Sequence, residues 1–243
     1  MSMVESAMVF WFSVICVSFL NCIVYRYIYS SDHSFVNLMR FSYCDKCKEQ
    51  IPLIYVIPIF GFFLSRFKCR CCRAPISIYH FSSEFLSGLL GLFFYNFLQV
   101  DGLVLFYLLI VLIAVSIIDA KTHLIPLIFT VPLLIYGLFF YKTNISLQDH
   151  VYGALCCFFM VTISMIIVSL IKKENVIAGG DVALFTCAGA WLGLYYVTIL
   201  ILLSATAFIV YALPARLQGR MFIPMGPSIS IGFYLCIILQ HLS

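Results

Sequence analysis

Long apolar runs dominate the chain, and short segments with charged residues, glycine or proline separate them. An apolar run of about 18 residues crosses a hydrocarbon core of about 30 Å as a helix. The pattern predicts eight such segments, and the split within 182–213 rests on Gly189 and Gly193, which indicate a break. The predicted segments are 5–25, 84–100, 102–118, 124–141, 151–171, 182–195, 196–213 and 223–241.

Composition places this chain among membrane proteins. Of its 243 residues, 64% are hydrophobic, and the mean hydropathy is +1.10. Of the 14 Lys and Arg residues, only Lys142 falls outside the predicted inner loops when the N-terminus is outside. The net charge of +4 therefore reflects topology and contact with anionic membrane lipid, and it does not indicate nucleic-acid binding. We expect an all-α polytopic membrane protein.

One predicted loop, 26–83, is large enough to be a small domain. It carries eight basic residues and five of the 11 cysteines, including two C-x-x-C pairs. Two such pairs supply four thiolates to a structural zinc ion, whereas disulfides are disfavoured in a reducing cytoplasm. Unconnected thiols are the alternative. Cys71 also lies close, but the x-x spacing favours Cys72. The expected ligands are Cys44, Cys47, Cys69 and Cys72.

Two aspartates lie at the ends of predicted spans. Asp119 closes the third span and Asp181 opens the sixth, so both are expected at the same depth near the cytoplasmic boundary. Two close carboxylates do not both ionise easily, so one serves as acid while the other activates water, as in aspartic proteases. We expect Gly179 and Gly180 to form an active-site loop that permits unusual φ values and close approach of a substrate strand.

Other interpretations of these acids are open. Asp181 is also a candidate N-cap, and Asp119 a solvated helix end. Glu84, at the start of the second span, is a third candidate for chemistry, a cap, or a partner of a loop arginine. A transporter that relays protons or cations through Asp119 and Asp181 fits the same positions. A non-catalytic assembly factor would instead use the cysteine loop to bind a partner.

Several motifs in order resemble those of the type IV prepilin peptidases, which are GxGD-type aspartyl membrane proteases. The resemblance covers most of the chain. The G-x-G-D-type site departs from the family pattern at Ala178, and Leu127 follows the family's proline where an acidic or amide residue is common. The matching pieces are "SFLNCIVYR" (18–26), the double C-x-x-C loop, "PISIYHFSSE" (75–84), Asp119 with Pro126, the site at Asp181, and "IPMGPSIS" (223–230).

The resemblance implies a function for each part of the chain. Asp119 and Asp181 would be catalytic, and the four cysteines would bind zinc. The implied reaction removes a basic leader from prepilins or pseudopilins at the cytoplasmic face of the bacterial inner membrane. Methylation of the new N-terminus by S-adenosylmethionine rests on the resemblance alone. The implied division is a first transmembrane helix (1–25), a cytoplasmic four-cysteine loop domain (26–83) and a seven-helix peptidase core (84–243).

Overall fold

The structure is a computed structural model that describes residues 2–30, 34–141, 146–174, 178–219 and 223–242; Lys142 lies outside these ranges. Within them the regular elements are helical, which confirms the all-α prediction. Two short 3-10 helices, Leu53–Tyr55 and Leu194–Tyr196, accompany nine α-helices. These are α1 (Met3–Tyr29), α2 (Phe35–Leu38), α3 (Phe60–Leu64), α4 (Ile78–Thr122), α5 (Leu127–Phe139), α6 (Leu147–Lys172), α7 (Gly179–Leu192), α8 (Val197–Leu217) and α9 (Gly226–Leu242).

Four helical segments in the described part of the chain are long and apolar enough to span a membrane. They are Met3–Tyr29, Ile78–Thr122, Leu147–Lys172 and Leu194–Leu217. Each of the eight predicted segments overlaps a helix, but α5, α7 and α9 have only 13, 14 and 17 residues. The count of eight spans therefore remains a prediction, as do the orientation and the three-part division of the chain.

The breaks between predicted spans have identifiable backbone causes. The second and third predicted spans both fall in the 45-residue helix α4, which is interrupted at Gln99 by a non-helical φ of 56° and ψ of −133°. The predicted division of 182–213 occurs at Gly193, whose φ of 72° favours glycine and ends α7.

The chain divides into two compact units, Met1–Ile110 and Val111–Ser243, and α4 contributes to both. In the first unit, polar side chains join α1 to the start of α4. The Ser18 hydroxyl donates to Glu84 at 2.6 Å, and the Asn21 amide donates to Ser83 at 3.0 Å. Such interhelical hydrogen bonds stabilise helix association where lipid surrounds the helices.

In the second unit, α7 is the most enclosed helix, and α5, α6 and α9 pack around it. Helices α6 and α7 approach closely at Gly153 and Gly189. Glycine permits this approach, because a Cβ on either residue would overlap the backbone of the other helix. Trp191 is 2% exposed, and its indole N–H donates to the carbonyl of Leu133 at 2.8 Å. This packing fixes the position of the first turn of α7, which carries Asp181.

Candidate active site and cysteine cluster

Both aspartates are buried within the second unit. Asp119 lies in the last turn of α4 and is 4% exposed, so the interpretation as a solvated helix end is wrong. Asp181 is the third residue of α7 and is 9% exposed. The N-cap of α7 is Ala178, which makes no side-chain capping bond, so the interpretation of Asp181 as an N-cap is also wrong.

The two carboxylates interact electrostatically but have different surroundings. The charge of Asp119 acts on Asp181, so the two groups lie close together. The backbone N–H of Gly226, at the start of α9, donates to Oδ2 of Asp119 at 2.7 Å. The exposed His123 also interacts with Asp119 electrostatically. Within the described ranges, no hydrogen bond reaches the carboxylate of Asp181. Asp181 lies in the first turn of α7, so both groups are near a helix N-terminus, which favours a negative charge. Among the described residues only Asp119 of the two accepts a backbone hydrogen bond, so it is the better-stabilised carboxylate.

The two glycines before Asp181 do not form a loop. Gly179 and Gly180 are the first residues of α7, and neither has a positive φ, so the expectation of unusual backbone angles is wrong. A Cβ on Gly180 would lie 2.8 Å from Cβ of Ile125, in the connection between α4 and α5. A Cβ on Gly179 would meet no described heavy atom within 4 Å. Gly180 therefore allows the connection after Asp119 to pack directly against the start of α7.

Gly226 is a residue of this site to which the sequence interpretation assigned no role. A Cβ at this position would lie 2.7 Å from Oδ2 of Asp119 and 3.0 Å from its Cγ. A glycine is therefore needed for the backbone amide to reach the carboxylate. The available signal was the Gly-Pro pair formed with Pro227, which opens an apolar helix at the same predicted depth as the aspartates.

Glu84 belongs to the first unit, whereas both aspartates belong to the second. It is the seventh residue of α4 and 8% exposed, so it does not cap the helix. Its two oxygens accept hydrogen bonds from the Ser18 hydroxyl at 2.6 Å and from the backbone N–H of Ile59 at 2.7 Å. Its described partners are therefore a helix and a loop backbone, in place of the expected loop arginine.

Four cysteines of the first unit meet in one cluster, and Cys71 is not among them. Their Sγ atoms all lie within 4.8 Å of one another. The distances are 3.7 Å between Cys44 and Cys72 and 3.9 Å between Cys47 and Cys69. Tetrahedral zinc with Zn–S bonds of about 2.3 Å requires sulfur–sulfur distances of about 3.8 Å. The cluster therefore fits a structural zinc ion with four thiolate ligands.

The two C-x-x-C pairs have the same local geometry. In the first pair, Cys44 exchanges backbone hydrogen bonds with Lys48 and Glu49, and Lys48 has a φ of 59°. In the second, Cys69 makes the same two bonds with Arg73 and Ala74, and Arg73 has a φ of 56°. Each pair is enclosed by an isolated antiparallel bridge, Tyr43 with Gln50 and Lys68 with Pro75. The loop thus presents two equivalent turns to one centre.

The ionisation of these thiols indicates how a bound cation would stabilise the cluster. Backbone hydrogen bonds at Cys47 and Lys46 lower the pKa of the Cys44 thiol to about 7. At Cys72 a backbone hydrogen bond at Ala74 lowers the pKa, but desolvation and the neighbouring sulfurs outweigh it and raise the pKa to about 11. One thiolate therefore forms easily, whereas the ionisation of further thiols in the cluster is unfavourable. A metal ion removes that opposition, because coordination deprotonates thiols.

Sequence comparisons agree with the two halves of the chain. A family model described as the bacterial peptidase A24 N-terminal domain matches residues 11–98. A model described as the type IV leader peptidase family matches residues 106–213. No solved structure matches the chain.

Curated relatives carry closely similar descriptions. A prepilin leader peptidase/N-methyltransferase of Vibrio cholerae is 30% identical over 91% of each chain. A protein of the same description from Neisseria gonorrhoeae is 30% identical over 88% of this chain and 83% of its own. An Escherichia coli type 4 prepilin-like proteins leader peptide-processing enzyme is 28% identical over 93% and 90%. None of these descriptions supports the transporter alternative. With two matching models and relatives aligned over most of their length, the chain belongs to the type IV leader peptidase family.

Proposed function

We propose that this chain is an aspartyl peptidase that removes the basic leader of type IV prepilins or pseudopilins. It acts at the cytoplasmic face of the bacterial inner membrane, with its N-terminus outside. The observation that carries the proposal is the buried pair Asp119 and Asp181, of which only Asp119 accepts a hydrogen bond from a helix N-terminus among the described residues. The names of the relatives supply the substrate class.

The unequal surroundings of the carboxylates assign their roles. Asp119, stabilised as a carboxylate by the Gly226 amide, takes a proton from the attacking water. Asp181, buried beside that charge, carries the proton and donates it to the oxygen of the scissile carbonyl. The products of this step are a tetrahedral gem-diol, a protonated Asp119 and an ionised Asp181.

Collapse of the gem-diol completes the reaction with the same two groups. Asp119 gives its proton to the departing amine, and Asp181 takes a proton from a hydroxyl of the gem-diol as the C–N bond breaks. Both aspartates return to their starting states, so the pair needs no additional acid. Burial of both side chains strengthens these interactions, because water does not screen them.

Cys44, Cys47, Cys69 and Cys72 would hold the zinc ion. Four thiolates leave no open coordination position, so the metal supplies structure and no chemistry. We expect the purified full-length protein to carry about one zinc ion per chain, and Cys44→Ser to lose most of it. Cys71→Ser is the matched control and retains the metal, because Cys71 is outside the cluster. Elemental analysis by mass spectrometry measures both; equal metal content in the two variants would exclude this ligand set.

N-methylation of the new N-terminus, with S-adenosylmethionine as donor, is the second proposed activity. It follows the names of the relatives, which combine leader peptidase with N-methyltransferase. Several glycines in helices α4 to α9 leave too little room for a Cβ, and in each case the atoms that a Cβ would meet belong to other residues of the protein. They do not form a cradle for a nucleoside, so no residue is assigned to the methyl donor and no step is derived through it.

The proposed function is tested by co-expression with a panel of prepilins and pseudopilins and by the intact mass of each product. We expect at least one substrate to lose its leader only when the enzyme is present, and methylation to add the mass of one methyl group. Leader loss without added mass would support the proposed peptidase activity and exclude the proposed methyltransferase activity. Intact precursors across the panel, with the enzyme correctly inserted, would overturn the proposed function.

A further inference from the structure

The segment between the two cysteine turns is too apolar for a loop in water. Residues 51–65 contain no charged side chain. Large apolar side chains in this segment are exposed: Leu53 by 70%, Ile54 by 55% and Leu64 by 54%. Such a patch requires a cover, either protein or lipid. The stretch is shorter than a membrane span, and apolar runs of this length also occur as re-entrant segments.

The middle of the segment contacts the interior part of the first spanning helix. The ring of Phe60 stacks on that of Trp11 at a centroid distance of 5.2 Å. Trp11 precedes Arg26 by 15 residues in α1, which corresponds to about 22 Å along the helix. Arg26 lies in the last turn of α1, where a basic residue marks the end of a span. The apex of the segment therefore lies far below the level of the helix end.

The hydrogen bonds of Glu84 agree with that depth. One oxygen accepts from the backbone N–H of Ile59, and the other accepts from Ser18. Ser18 precedes Arg26 by eight residues, or about 12 Å along α1. Ile59 has a φ of 64° and directly precedes the five-residue helix α3, so its amide lies outside regular structure. At membrane depth such an amide needs a protein acceptor, because lipid offers none.

We propose that residues 52–65 form a re-entrant membrane loop, covered by lipid acyl chains and positioned by Glu84. The loop enters beside α1 and turns back at Gly61, where a Cβ would overlap the carbonyl of Tyr55. Glu84 is then a positioning residue, and its burial is explained by two donors that offset the cost of a carboxylate in the hydrocarbon region. This inference does not depend on leader cleavage.

The cysteine cluster lies at the neck of this loop. Cys47 and Cys69 flank it with 21 residues between them, and their Sγ atoms are 3.9 Å apart. A bound metal ion would therefore join the two ends and reduce the entropy of the open loop. Basic residues concentrate at the same neck, where anionic headgroups attract them. These are Lys46, Lys48, Arg66, Lys68, Arg70 and Arg73.

The depth of the loop is measurable by spin labelling of the full-length protein in vesicles of phosphatidylethanolamine and phosphatidylglycerol. A nitroxide attached to p-acetylphenylalanine at Leu64 avoids the cysteines. We expect frequent collisions with oxygen and rare collisions with a water-soluble nickel chelate. The same label at Phe93, exposed on α4, gives the membrane reference, and at Glu49, exposed beside Cys47, the aqueous reference. A Leu64 label that behaves like Glu49 would overturn the proposal.

The role of Glu84 is tested in the same labelled protein. Glu84→Ala removes the acceptor of the Ile59 amide, and we expect the Leu64 label to move toward the aqueous reference. Ser18→Ala is the matched control, because it removes one bond to Glu84 and leaves the bond to Ile59. A label that stays at membrane depth in Glu84→Ala would overturn the positioning role. If the label moves equally in both variants, the effect comes from the contact between α1 and α4 and not from the bond to Ile59.

Discussion

Asp119→Asn and Asp181→Asn are each expected to lower the rate of leader cleavage by about 10²–10⁴-fold, the contribution of a general acid or base. Both side chains are buried, and each performs a different proton transfer in the proposed mechanism, so the loss of either carboxyl group stops its own step. Cleavage is followed in membranes with a co-expressed substrate, by the time course of leader loss. Insertion of each variant is checked by its abundance in the membrane fraction.

The two substitutions are not expected to have equal effects. Asn at 119 cannot accept a proton from water, although the Gly226 amide still reaches its side chain. Asn at 181 retains an N–H that donates a hydrogen bond to the substrate carbonyl. We therefore expect the greater loss for Asp119→Asn, and a double variant no worse than the more severe single variant, because the pair acts as a unit.

Asp101→Asn is the matched control, since it makes the same chemical change at an exposed residue of α4. It should cleave at the wild-type rate. A greater loss for Asp181→Asn would reverse the assignment of acid and base. Full activity in both single variants would exclude the pair and favour an assembly factor, for which cysteine substitutions remain the damaging ones.

The helices were predictable because apolar runs of sufficient length have few alternatives in a membrane protein. The break at Gly193 was close to its prediction, since glycine permits the positive φ that ends α7. The break at Gln99 was not predictable as a backbone feature, because glutamine has no such preference. The run 52–65 falls within the predicted cytoplasmic loop 26–83. Its proposed depth rests on contacts with Trp11 and Glu84 that sequence does not reveal.

The candidate site was predicted in part. Asp119 and Asp181 were paired because both lie at the inner ends of predicted spans, and the structure brings them together. The role of Gly226 was missed, because its contact joins residues 107 positions apart. Gly180 was identified for the wrong reason: its φ is ordinary, and the closeness of Ile125 explains the glycine. Spacing predicted depth along the membrane, whereas packing between helices decided which groups touch.

Gly226→Ala is expected to abolish most leader cleavage while the chain remains inserted. The new Cβ would lie 2.7 Å from Oδ2 of Asp119 and 2.9 Å from its Cβ, so the carboxylate must move away from the amide. A displacement of about 1 Å in a catalytic group costs on the order of 10²-fold in rate, and we expect at least that loss. Gly179→Ala is the matched control, because its Cβ meets no described atom within 4 Å and should leave cleavage unchanged.

Replacement of the Gly226 amide by an ester separates the hydrogen bond from the steric effect. Glycolic acid, incorporated at this position by nonsense suppression, removes the N–H and adds no Cβ. If the amide stabilises Asp119 as the base, the ester slows cleavage even though nothing is crowded, since a hydrogen bond to a charged group contributes about 1.5–3 kcal/mol. An active ester with an inactive Gly226→Ala would mean that Gly226 provides space alone. The start of α9 would then have no part in activating Asp119, and the choice of base would rest on the aspartate substitutions.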